Sequence, residues 1–281
     1  MKAKILDGKK IAKEIKEKLA REIEALHNSS GIVPGLAVVI AGADDASLVY
    51  VDMKEKACSA VGMYSKSFRL PSTVTQSEIL NIIDQLNHDE QIHGILIQLP
   101  LPEGIDEKVI SNRIHPEKDI DGFHPVNNGK LFLGEDSLAP CTPLGIIELI
   151  KHTGIDISGK HAVVIGRSNI VGKPAGMLLL RENATVTLCH SKTKDLTSVL
   201  KTADIIVSAA GIPNLVRGDM IKEDAIVIDA GTRVVDNKLV GDVNYNEAVM
   251  VASWITPVPG GVGPMTIAML LQNTLKAALK K

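Results

Sequence analysis

The sequence has few aromatic residues and almost no net charge. Aromatic side chains make up 2% of the 281 residues, and the formal net charge at pH 7 is -2. Proteins that bind single-stranded nucleic acids combine a positively charged groove with aromatic rings on which bases stack. This composition argues against a nucleic-acid partner, and we expect a small molecule instead.

Cysteines and long apolar runs are also scarce. Cys58, Cys141 and Cys189 lie far apart with no paired metal-ligand spacing, so the sequence predicts neither a disulfide framework nor a metal site. No stretch is as long and apolar as a membrane span, and the lysine-rich N-terminus lacks the apolar core of a signal peptide. We therefore expect a soluble protein of the reducing cytoplasm with no membrane partner.

Short apolar strands alternate with helical patterns along the first half of the chain. A helix is predicted from Gly8 to Leu26, followed by a buried strand, GLAVVIAG, from Gly35 to Gly42. The next predicted elements are a strand at Ser65–Pro71, a helix at Thr75–Asn87 and a strand from His93. This alternation predicts an α/β fold, in which crossover helices connect the strands of a parallel sheet.

The same alternation begins again in the second half. A strand is predicted from His161, and three more begin at Thr185, Asp204 and Ala225. The length of the chain allows each half to bury its own core. We therefore predict two α/β domains around a cleft, the second a Rossmann-type doubly wound parallel sheet, with the boundary between residues 139 and 140.

The stretch from Ser47 to Met63 contains the most informative lysine. It is predicted to be an amphipathic helix that Ser47 caps and Gly62 ends. Helical spacing defines an inward stripe of Tyr50, Lys54, Ala57 and Val61, whereas Lys56 faces the other side. Apolar surroundings lower the pKa of a lysine, and a neutral amine is a general base near pH 7. The alternative is that Lys54 lays its stem along the core edge and extends its ammonium into water.

Two further polar positions follow predicted strand ends, where ligands gather in parallel sheets. Gln98 ends the strand from His93, just before LPLP stops the pairing, and it has the alternative role of satisfying backbone groups there. Residues 118–130, KDIDGFHPVNNGK, are predicted to be irregular and contain the acids Asp119 and Asp121. The usual role of Asp-Gly is a turn.

The strand from His161 leads into a glycine-containing turn and a helix that begins near Gly172 or Pro174. Gly166 allows a sharp turn, and backbone amides at a helix start can bind a pyrophosphate. The G-x-G-x-x-G fingerprint is absent, because Ser168 occupies its second glycine position. The turn is therefore a weak signal alone, and the repeated strands that follow give it the context of a dinucleotide-binding domain.

The end of the strand from Thr185 bears on the choice of cofactor. An acid there usually binds the ribose of NAD, whereas basic and hydroxyl groups suit the added phosphate of NADP. Residues 189–194 read CHSKTK, with no acid before Asp195, and Arg167 in the preceding turn can approach the same phosphate. We favour NADP; the alternatives are a solvated turn and use of NAD or of both cofactors.

Residues 256–266, TPVPGGVGPMT, contain three glycines and three prolines. Such a loop is stiff and has few side chains, which suits a close approach of its backbone to a ligand. It can also serve as a linker between domains, and the two roles are compatible.

These motifs together resemble the bifunctional methylenetetrahydrofolate dehydrogenase and methenyltetrahydrofolate cyclohydrolase family. The matching segments are Y-V-x-x-K-x-K at Tyr50, Q-L-P-L-P at Gln98, K-D-x-D-G at Asp121, G-R-S-x-x-V-G-x-P at Gly166 and P-G-G-V-G-P-M-T at Pro259. The resemblance runs nearly end to end. It implies a homodimer that oxidises 5,10-methylenetetrahydrofolate with NADP and hydrolyses the product to 10-formyltetrahydrofolate, in one-carbon metabolism and purine biosynthesis.

The resemblance also implies roles for individual residues. The domain of residues 1–139, joined by a C-terminal helix at 264–281, binds folate, and the domain of residues 140–263 binds NADP. The implied catalytic residues are Lys54, Gln98, Tyr50 and Asp121; the folate contacts are Tyr50, Gln98, Asp121, Pro259, Gly260 and Gly263; and the NADP contacts are Gly166, Arg167, Ser168, Gly172, Ser191 and Thr232.

One loop departs from the family pattern. After IVIDAG the pattern has an Ile-Asn pair before an arginine, whereas this chain has Thr232 followed by Arg233. The loop is one residue shorter, so the family pattern does not define its contacts with the nicotinamide ribose. The other functions considered are a monofunctional NAD(P)-dependent dehydrogenase of this fold, an enzyme resembling shikimate dehydrogenase and a non-catalytic NADP sensor.

Overall fold

The computed structural model describes residues 2–42, 45–236 and 238–280, with the backbone alone at residues 45–47. Helices alternate with parallel strands in two separate sheets, one of three strands and one of six. The predicted α/β class is therefore confirmed. Within the described ranges, no helix has both the length and the apolar character that crossing a membrane requires.

The chain divides into two compact units. The small-sheet unit comprises Glu14–Ala139 with the residues from Leu270 onward, and the large-sheet unit comprises Pro140–Met269 with the residues up to Lys13. The division at residues 139 and 140 lies where the sequence analysis placed it, whereas residues 2–13 and 264–269 cluster with the second unit rather than the first. Residues 1 and 281, the ends of the predicted division, lie outside the described residues.

The chain starts with β1 (Lys4–Ile5) and α1 (Gly8–Ser30). The elements that follow in the small-sheet unit are β2 (Gly35–Ala41), α2 (Asp45–Ala60), β3 (Tyr64–Leu70), α3 (Gln76–His88), β4 (Gly94–Gln98), α4 (Glu107–Arg113) and α5 (Pro125–Leu133). Its sheet has the order β3-β2-β4, and both pairings are parallel. All seven residues of the central strand β2 are buried, which explains why its sequence is a continuous apolar run.

Local sequence explains where the helices of this unit begin and end. The Thr75 side chain accepts a hydrogen bond from the Glu78 amide, and the Thr75 amide donates one to Glu78 Oε2, so a capping box starts α3. Gly62 has a φ of +80°, a left-handed conformation that suits the turn after α2. The predicted cap at Ser47 is wrong, because α2 begins at Asp45 and Ser47 lies within the helix.

The segment from Lys118 to Lys130 is not irregular throughout, as the sequence analysis predicted. It contains the first part of α5, which starts at Pro125. The ring nitrogen Nδ1 of His124 accepts a hydrogen bond from the Val126 amide at 3.1 Å, and Pro125 suits the first helical position because it has no amide hydrogen to satisfy. Histidine is not among the residues that commonly cap a helix, so short-range sequence rules do not predict a helix start here.

The large-sheet unit contains the later elements of the chain. They are α6 (Cys141–His152), β5 (His161–Ile165), α7 (Gly172–Arg181), β6 (Thr185–Cys189), α8 (Leu196–Leu200), β7 (Ile205–Ser208), β8 (Ile226–Asp229), β9 (Arg233–Val235), β10 (Lys238–Val240), α9 (Tyr245–Ala248), β11 (Trp254–Ile255) and α10 (Val262–Ala278). The last helix starts two residues before the predicted one, and the division between units falls within it.

The six-stranded sheet has the order β1-β11-β8-β7-β5-β6 with all pairings parallel. From β5 the chain moves outward to β6 and then returns to β7 on the opposite side of β5. This reversal is the topological switch point of a Rossmann-type sheet, and its crevice lies at the carboxyl ends of β5 and β7. β1 joins this sheet through β11, where Lys4 pairs with Trp254, which places the N-terminal residues in the large-sheet unit.

Candidate active site

Helix α2 presents a buried face that differs by one position from the predicted stripe. Val51 and Cys58 are fully buried and Val61 nearly so, whereas Tyr50 is 52% exposed. The prediction that Tyr50 lies on the inward stripe is therefore wrong, because Val51 takes the inner position in that turn. Lys54 is half-buried at the edge of the face, and Lys56 is exposed as predicted.

Ion pairs hold the outer side of α2 against strand β3. The Nη2 atom of Arg69 lies 2.7 Å from Asp52 Oδ1 and 3.4 Å from Glu55 Oε2. Exposed pairs of this kind contribute little to stability, but two carboxylates on one guanidinium restrict how the helix can rotate.

Lys54 and Gln98 are in direct contact. The Nζ atom of Lys54 donates a hydrogen bond of 2.8 Å to Gln98 Oε1. Gln98 is the last residue of β4, and its Nε2 donates to the Leu99 carbonyl at 2.9 Å. The two ends of the amide therefore have different partners, which fixes the oxygen toward the lysine.

The segment that carries Asp121 runs beside β4. The Ile95 amide donates to the Lys118 carbonyl at 2.8 Å, and Ile95 and Asp119 form a parallel bridge. A Cβ atom at Gly94 would lie 2.6 Å from Ile120, so the absence of a side chain there permits this close approach. Asn273 of α10 also donates to the Ile120 carbonyl at 2.8 Å. These contacts fix the backbone on which Asp121 stands.

Asp121 is half-buried, and its carboxyl group lies close enough to Lys54 for the charge of the lysine to affect its pKa. Desolvation raises the pKa of Asp121 to about 6, the charge of Lys54 opposes that rise, and the charge of Asp119 adds to it. Among the described residues, no hydrogen bond to the Asp121 carboxyl group opposes the rise. Lys54, Gln98 and Asp121 thus form a polar group at the carboxyl end of β4, with Tyr50 exposed one turn before Lys54.

The neighbouring Asp119 has a structural role. Its Oδ2 accepts hydrogen bonds from the His124 amide at 2.8 Å and from Asn127 Nδ2 at 2.9 Å, while Oδ1 accepts from the Phe123 amide at 3.3 Å. Burial raises the pKa of Asp119, and these donors oppose the rise. Asp119 therefore shapes the turn into α5, which leaves Asp121 as the acid available to a ligand.

The turn after β5 in the large-sheet unit depends on two glycines. Gly166 has a φ of +124°, and a Cβ atom there would lie 2.3 Å from the Ala209 carbonyl oxygen. A Cβ atom at Gly172 would lie 2.2 Å from the Gly166 carbonyl oxygen. Any side chain at either position would collide with backbone, so the turn stays tight and its amides remain close to the switch point.

Ser168 is involved in the start of α7. Its Oγ accepts hydrogen bonds from the Val171 amide at 3.1 Å and the Gly172 amide at 3.3 Å. The serine hydroxyl thus satisfies amides that a helix start leaves without intrahelical partners. The sequence analysis expected backbone amides at this helix start to be able to bind a pyrophosphate, and in the structure two of them donate to Ser168 Oγ.

Basic and hydroxyl groups lie together at the ends of β5 and β6. Ile165 pairs with Cys189, so the exposed side chains of Arg167 and Ser191 follow adjacent strand ends. The nearest acid, Asp195, accepts hydrogen bonds from the Ser198 hydroxyl at 2.6 Å and the Ser198 amide at 3.1 Å. These bonds lower the pKa of Asp195, and the bond from the hydroxyl has the larger effect. The Asp195 carboxylate thus caps α8.

The predicted folate loop lies in the large-sheet unit and is tightly turned. Gly260 has a φ of +109°, and Pro259 beside it is exposed. A Cβ atom at Gly261 would lie 2.6 Å from the Pro257 carbonyl oxygen. Gly263 lies in the first turn of α10 with open space where a side chain would be. Within this loop Pro259 and Gly263 are thus exposed, whereas Gly261 is buried.

The loop at Thr232 lies near two buried acids. Thr232 is exposed and leads into the hairpin of β9 and β10. Sequence reasoning missed Asp229 and Asp242, which are buried at the carboxyl ends of strands β8 and β10. The sequence contains a signal for both residues: each acid follows an apolar stretch and lies within two positions of a glycine.

Two family models match the chain. Residues 6–121 match the catalytic domain of tetrahydrofolate dehydrogenase/cyclohydrolase, and residues 140–281 match the NAD(P)-binding domain of the same proteins. The chain belongs to this family. The family predicted from the motifs is therefore confirmed, and the NAD(P)-binding model covers the turn at Gly166 and the strand ends described above.

Individual members of the tetrahydrofolate dehydrogenase/cyclohydrolase family are similar over their whole length. The bifunctional protein FolD of Bacillus velezensis is 57% identical over 279 residues, which cover 99% of this chain and 98% of the relative. The crystal structure of the bifunctional FolD enzyme of Campylobacter jejuni has a TM-score of 0.95 and 50% identity, with 99% of each chain covered.

A second solved member of the family is described with its ligands. The enzyme of Trypanosoma brucei, complexed with NADP cofactor and an inhibitor, has a TM-score of 0.94 and 43% identity, with 100% of this chain and 98% of that chain covered. The agreement spans both units of the chain. Sequence similarity and structural similarity thus agree on the family and the fold.

Proposed function

We propose that this protein is a bifunctional folate enzyme. It oxidises 5,10-methylenetetrahydrofolate to 5,10-methenyltetrahydrofolate with NADP and then hydrolyses that product to 10-formyltetrahydrofolate. The reactions serve one-carbon metabolism and, through it, purine biosynthesis. The single observation that carries the proposal is the polar group of Lys54, Gln98 and Asp121, in a chain whose family and paired domains match enzymes of this kind.

Lys54 is the proposed base for the hydrolysis. Loss of hydride leaves a cationic, delocalised amidinium, and an ammonium beside it would be repelled. A neutral lysine avoids that repulsion and can remove a proton from the attacking water. Gln98 accepts a hydrogen bond from Lys54 at 2.8 Å, which directs one N–H away from the substrate and orients the lone pair of the neutral amine.

Asp121 and Tyr50 are the proposed contacts of the folate ring system. An ionised carboxylate has two acceptor oxygens, which suits the amine and the ring N–H of a pterin. Among the described residues no hydrogen bond lowers the pKa of Asp121, which supports a carboxylate available to a ligand. Tyr50 is exposed and can stack in an offset arrangement, and the backbone at Pro259, Gly260 and Gly263 is proposed to contact folate as well.

The proposed NADP contacts are Gly166, Arg167, Ser168, Gly172, Ser191 and Thr232. The glycine turn fits a dinucleotide, because its backbone is bare of side chains at the switch point where Rossmann-type sheets bind one. Arg167 and Ser191 suit the added phosphate, and the cap formed by Asp195 removes the acid that NAD would need. NADP, when bound, supplies the nicotinamide that accepts hydride.

We propose further that the enzyme acts as a homodimer in the cytoplasm. The hairpin of β9 and β10 supports a dimer, since it exposes apolar side chains that water does not favour: Val234, Val235 and Leu239. Sedimentation of the purified protein at several concentrations tests the assembly. A species with the mass of one chain at every concentration would contradict it.

An assay of both steps tests the function. Purified protein is mixed with methylenetetrahydrofolate and either NADP or NAD, and the absorbances of reduced cofactor and methenyl product are followed together. We expect reduced NADP to form without lasting methenyl accumulation. Lasting accumulation would indicate a monofunctional dehydrogenase, and no cofactor reduction would favour a non-catalytic sensor.

A further inference from the structure

Two buried aspartates meet at the carboxyl edge of the large sheet. Asp229 ends β8 with 3% exposure, and Asp242 follows β10 with 1% exposure. Desolvation raises the pKa of Asp229 to about 6, and the charge of Asp242 adds to the rise. Among the described residues, the hydrogen-bond donors to the two carboxyl groups are backbone amides and the Ser208 hydroxyl. Burial of two neighbouring carboxyl groups is unfavourable for folding, so the pair is a candidate for a functional role.

Asp242 fixes the loop that follows β7. Its Oδ2 accepts hydrogen bonds from the Ala210 amide at 2.7 Å, the Gly211 amide at 3.2 Å and the Ser208 hydroxyl at 3.0 Å. One oxygen thus accepts three hydrogen bonds from the end of β7 and the loop that follows it. This loop starts at the carboxyl end of β7, which is one side of the switch point.

Asp229 fixes the turn after β8 and the return of the chain from β10. Its Oδ1 accepts from the Gly231 amide and from the Asp242 amide, both at 3.0 Å. Its Oδ2 accepts from the Val243 amide at 2.9 Å. Because Asp229 holds the backbone of Asp242, and Asp242 holds the β7 loop, the two acids connect both loops in series.

Glycines make this arrangement possible in both directions. A Cβ atom at Gly231 would lie 2.1 Å from the Asp242 carboxyl group, and a Cβ atom at Gly241 would lie 2.0 Å from Asp229 Oδ2. Each acid therefore fills the space that a side chain beside the other acid would need. The two carboxylates can therefore lie side by side only if both positions are glycine.

The place of these loops suggests what they serve. In a Rossmann-type sheet the two mononucleotide halves of a dinucleotide bind on opposite sides of the switch point. The turn after β5 and the end of β6 serve the half with the added phosphate, so the loops after β7 and β8 face the other half. We propose that Asp229 and Asp242 are positioning residues that hold these loops for the nicotinamide half of NADP, an inference that rests on the proposed function.

The two acids differ in a way that separates positioning from charge. All three donors to the Asp242 side chain use one oxygen, so an asparagine there keeps that acceptor. Both oxygens of Asp229 accept, so an asparagine there must turn an N–H₂ group toward a backbone N–H. Asparagine should therefore substitute well at position 242 and poorly at position 229.

The experiment compares Asp229→Asn, Asp242→Ala and Asp242→Asn, with exposed Asp236→Asn as the control. We expect the dehydrogenase kcat to fall by about tenfold in Asp229→Asn and Asp242→Ala, and Asp242→Asn to recover most of it. The hydrolysis of added methenyltetrahydrofolate, which needs no cofactor, should stay within about twofold of the wild type. Without ligands, the Gly231 and Val243 amides should exchange hydrogen faster in Asp229→Asn.

Several outcomes would overturn the proposal. These are an unchanged dehydrogenase kcat in Asp229→Asn, equal losses of both activities, or equal losses in the two Asp242 variants. If Asp229→Asn does not fold, Ser208→Ala removes one donor from the Asp242 oxygen, and we expect a roughly threefold loss of the dehydrogenase kcat alone. An equal effect of Ser208→Ala on both activities would contradict the positioning role. A wild-type protein without either activity would instead contradict the proposed function.

Discussion

Lys54 Nζ donates a 2.8 Å hydrogen bond to Gln98 Oε1, and the other end of that amide is held by the Leu99 carbonyl. The amide oxygen is therefore directed toward the lysine. A neutral amine can still donate one N–H to this oxygen while its lone pair points elsewhere. The contact is thus compatible with a base, and it does not supply the negative charge that would stabilise an ammonium.

Replacement of Gln98 by glutamate tests this distinction. In Gln98→Glu a carboxylate would face Lys54, and an opposite charge at that distance raises the pKa of a lysine. We expect the pH profile of methenyltetrahydrofolate hydrolysis to move to higher pH, with a loss of about tenfold or more at pH 7. Gln91→Glu, at an exposed position, should leave the profile in place. Superimposable profiles of Gln98→Glu and the wild type would contradict the role of Lys54 as a base.

Replacement of Arg167 tests the preference for NADP. In Arg167→Ala the added phosphate would lose a charged donor, which typically contributes about 1.5–3 kcal/mol. We expect the KM for NADP to rise roughly tenfold or more, with little change for NAD. Arg181→Ala, an exposed arginine at the far end of α7, is the matched control. Equal increases for both cofactors would remove Arg167 from phosphate recognition.

The raised pKa of Asp121 has a consequence for stability. Its folded pKa of about 6 lies above the ordinary value of 3.8, so folding is opposed when the group is ionised in both states. This penalty is complete above pH 6 and disappears as the pH falls toward 4. We expect Asp121→Asn to increase the free energy of unfolding by about 1–2 kcal/mol at pH 7 and by much less at pH 4.

Asp119→Asn provides the contrast for that measurement. Both oxygens of Asp119 accept hydrogen bonds, from His124, Asn127 and Phe123, and an amide cannot accept at both positions. We expect it to lower the free energy of unfolding by about 1–3 kcal/mol at pH 7. Denaturant titrations at both pH values check the pair, and a loss of stability in Asp121→Asn at pH 7 would contradict the desolvated carboxylate.

The same pKa predicts a pH dependence of folate binding. Protonation of Asp121 below pH 6 removes one acceptor, so the KM for methylenetetrahydrofolate should rise as the pH falls from 7 to 5. The KM for NADP should not follow the titration of this carboxyl group, because Asp121 is not among the proposed NADP contacts. A folate KM that is flat across the range would exclude an ionised Asp121 from binding.

Local patterns predicted much of the fold. The apolar run of β2, the helix at Gln76–His88 and the turn at Gly166 all follow from short-range rules, because burial and backbone conformation restrict the residues there. By contrast, β1 and β11 are strands of two residues that form only by pairing with each other and with β8. Nothing in two residues distinguishes a strand from a loop, so their place required the tertiary structure.

The candidate site was predicted unevenly for a similar reason. Helical spacing correctly separated Lys54 from Lys56, but it placed Tyr50 on the inward stripe, where the structure has Val51. Neighbouring residues lie roughly 100° apart around a helix, so a pattern read one residue out of phase exposes the wrong side chain. Lys54 and Gln98, which the family resemblance gave as catalytic residues, are far apart in sequence, so short-range patterns do not predict their contact. The contacts of Asp229 and Asp242 depend on backbone donors, which the identity of side chains does not reveal.

The most direct test of the account follows both products in Lys54→Met. A time course with methylenetetrahydrofolate and NADP records reduced cofactor and methenyl absorbance together, beside Lys56→Met from the exposed side of the same helix. We expect Lys54→Met to keep some hydride transfer, to lose at least about a hundredfold in hydrolysis and so to accumulate methenyl product, while Lys56→Met behaves as the wild type. Equal loss of both activities in a folded Lys54→Met that still binds folate, or hydrolysis at the wild-type rate, would contradict the claim that Lys54 activates water.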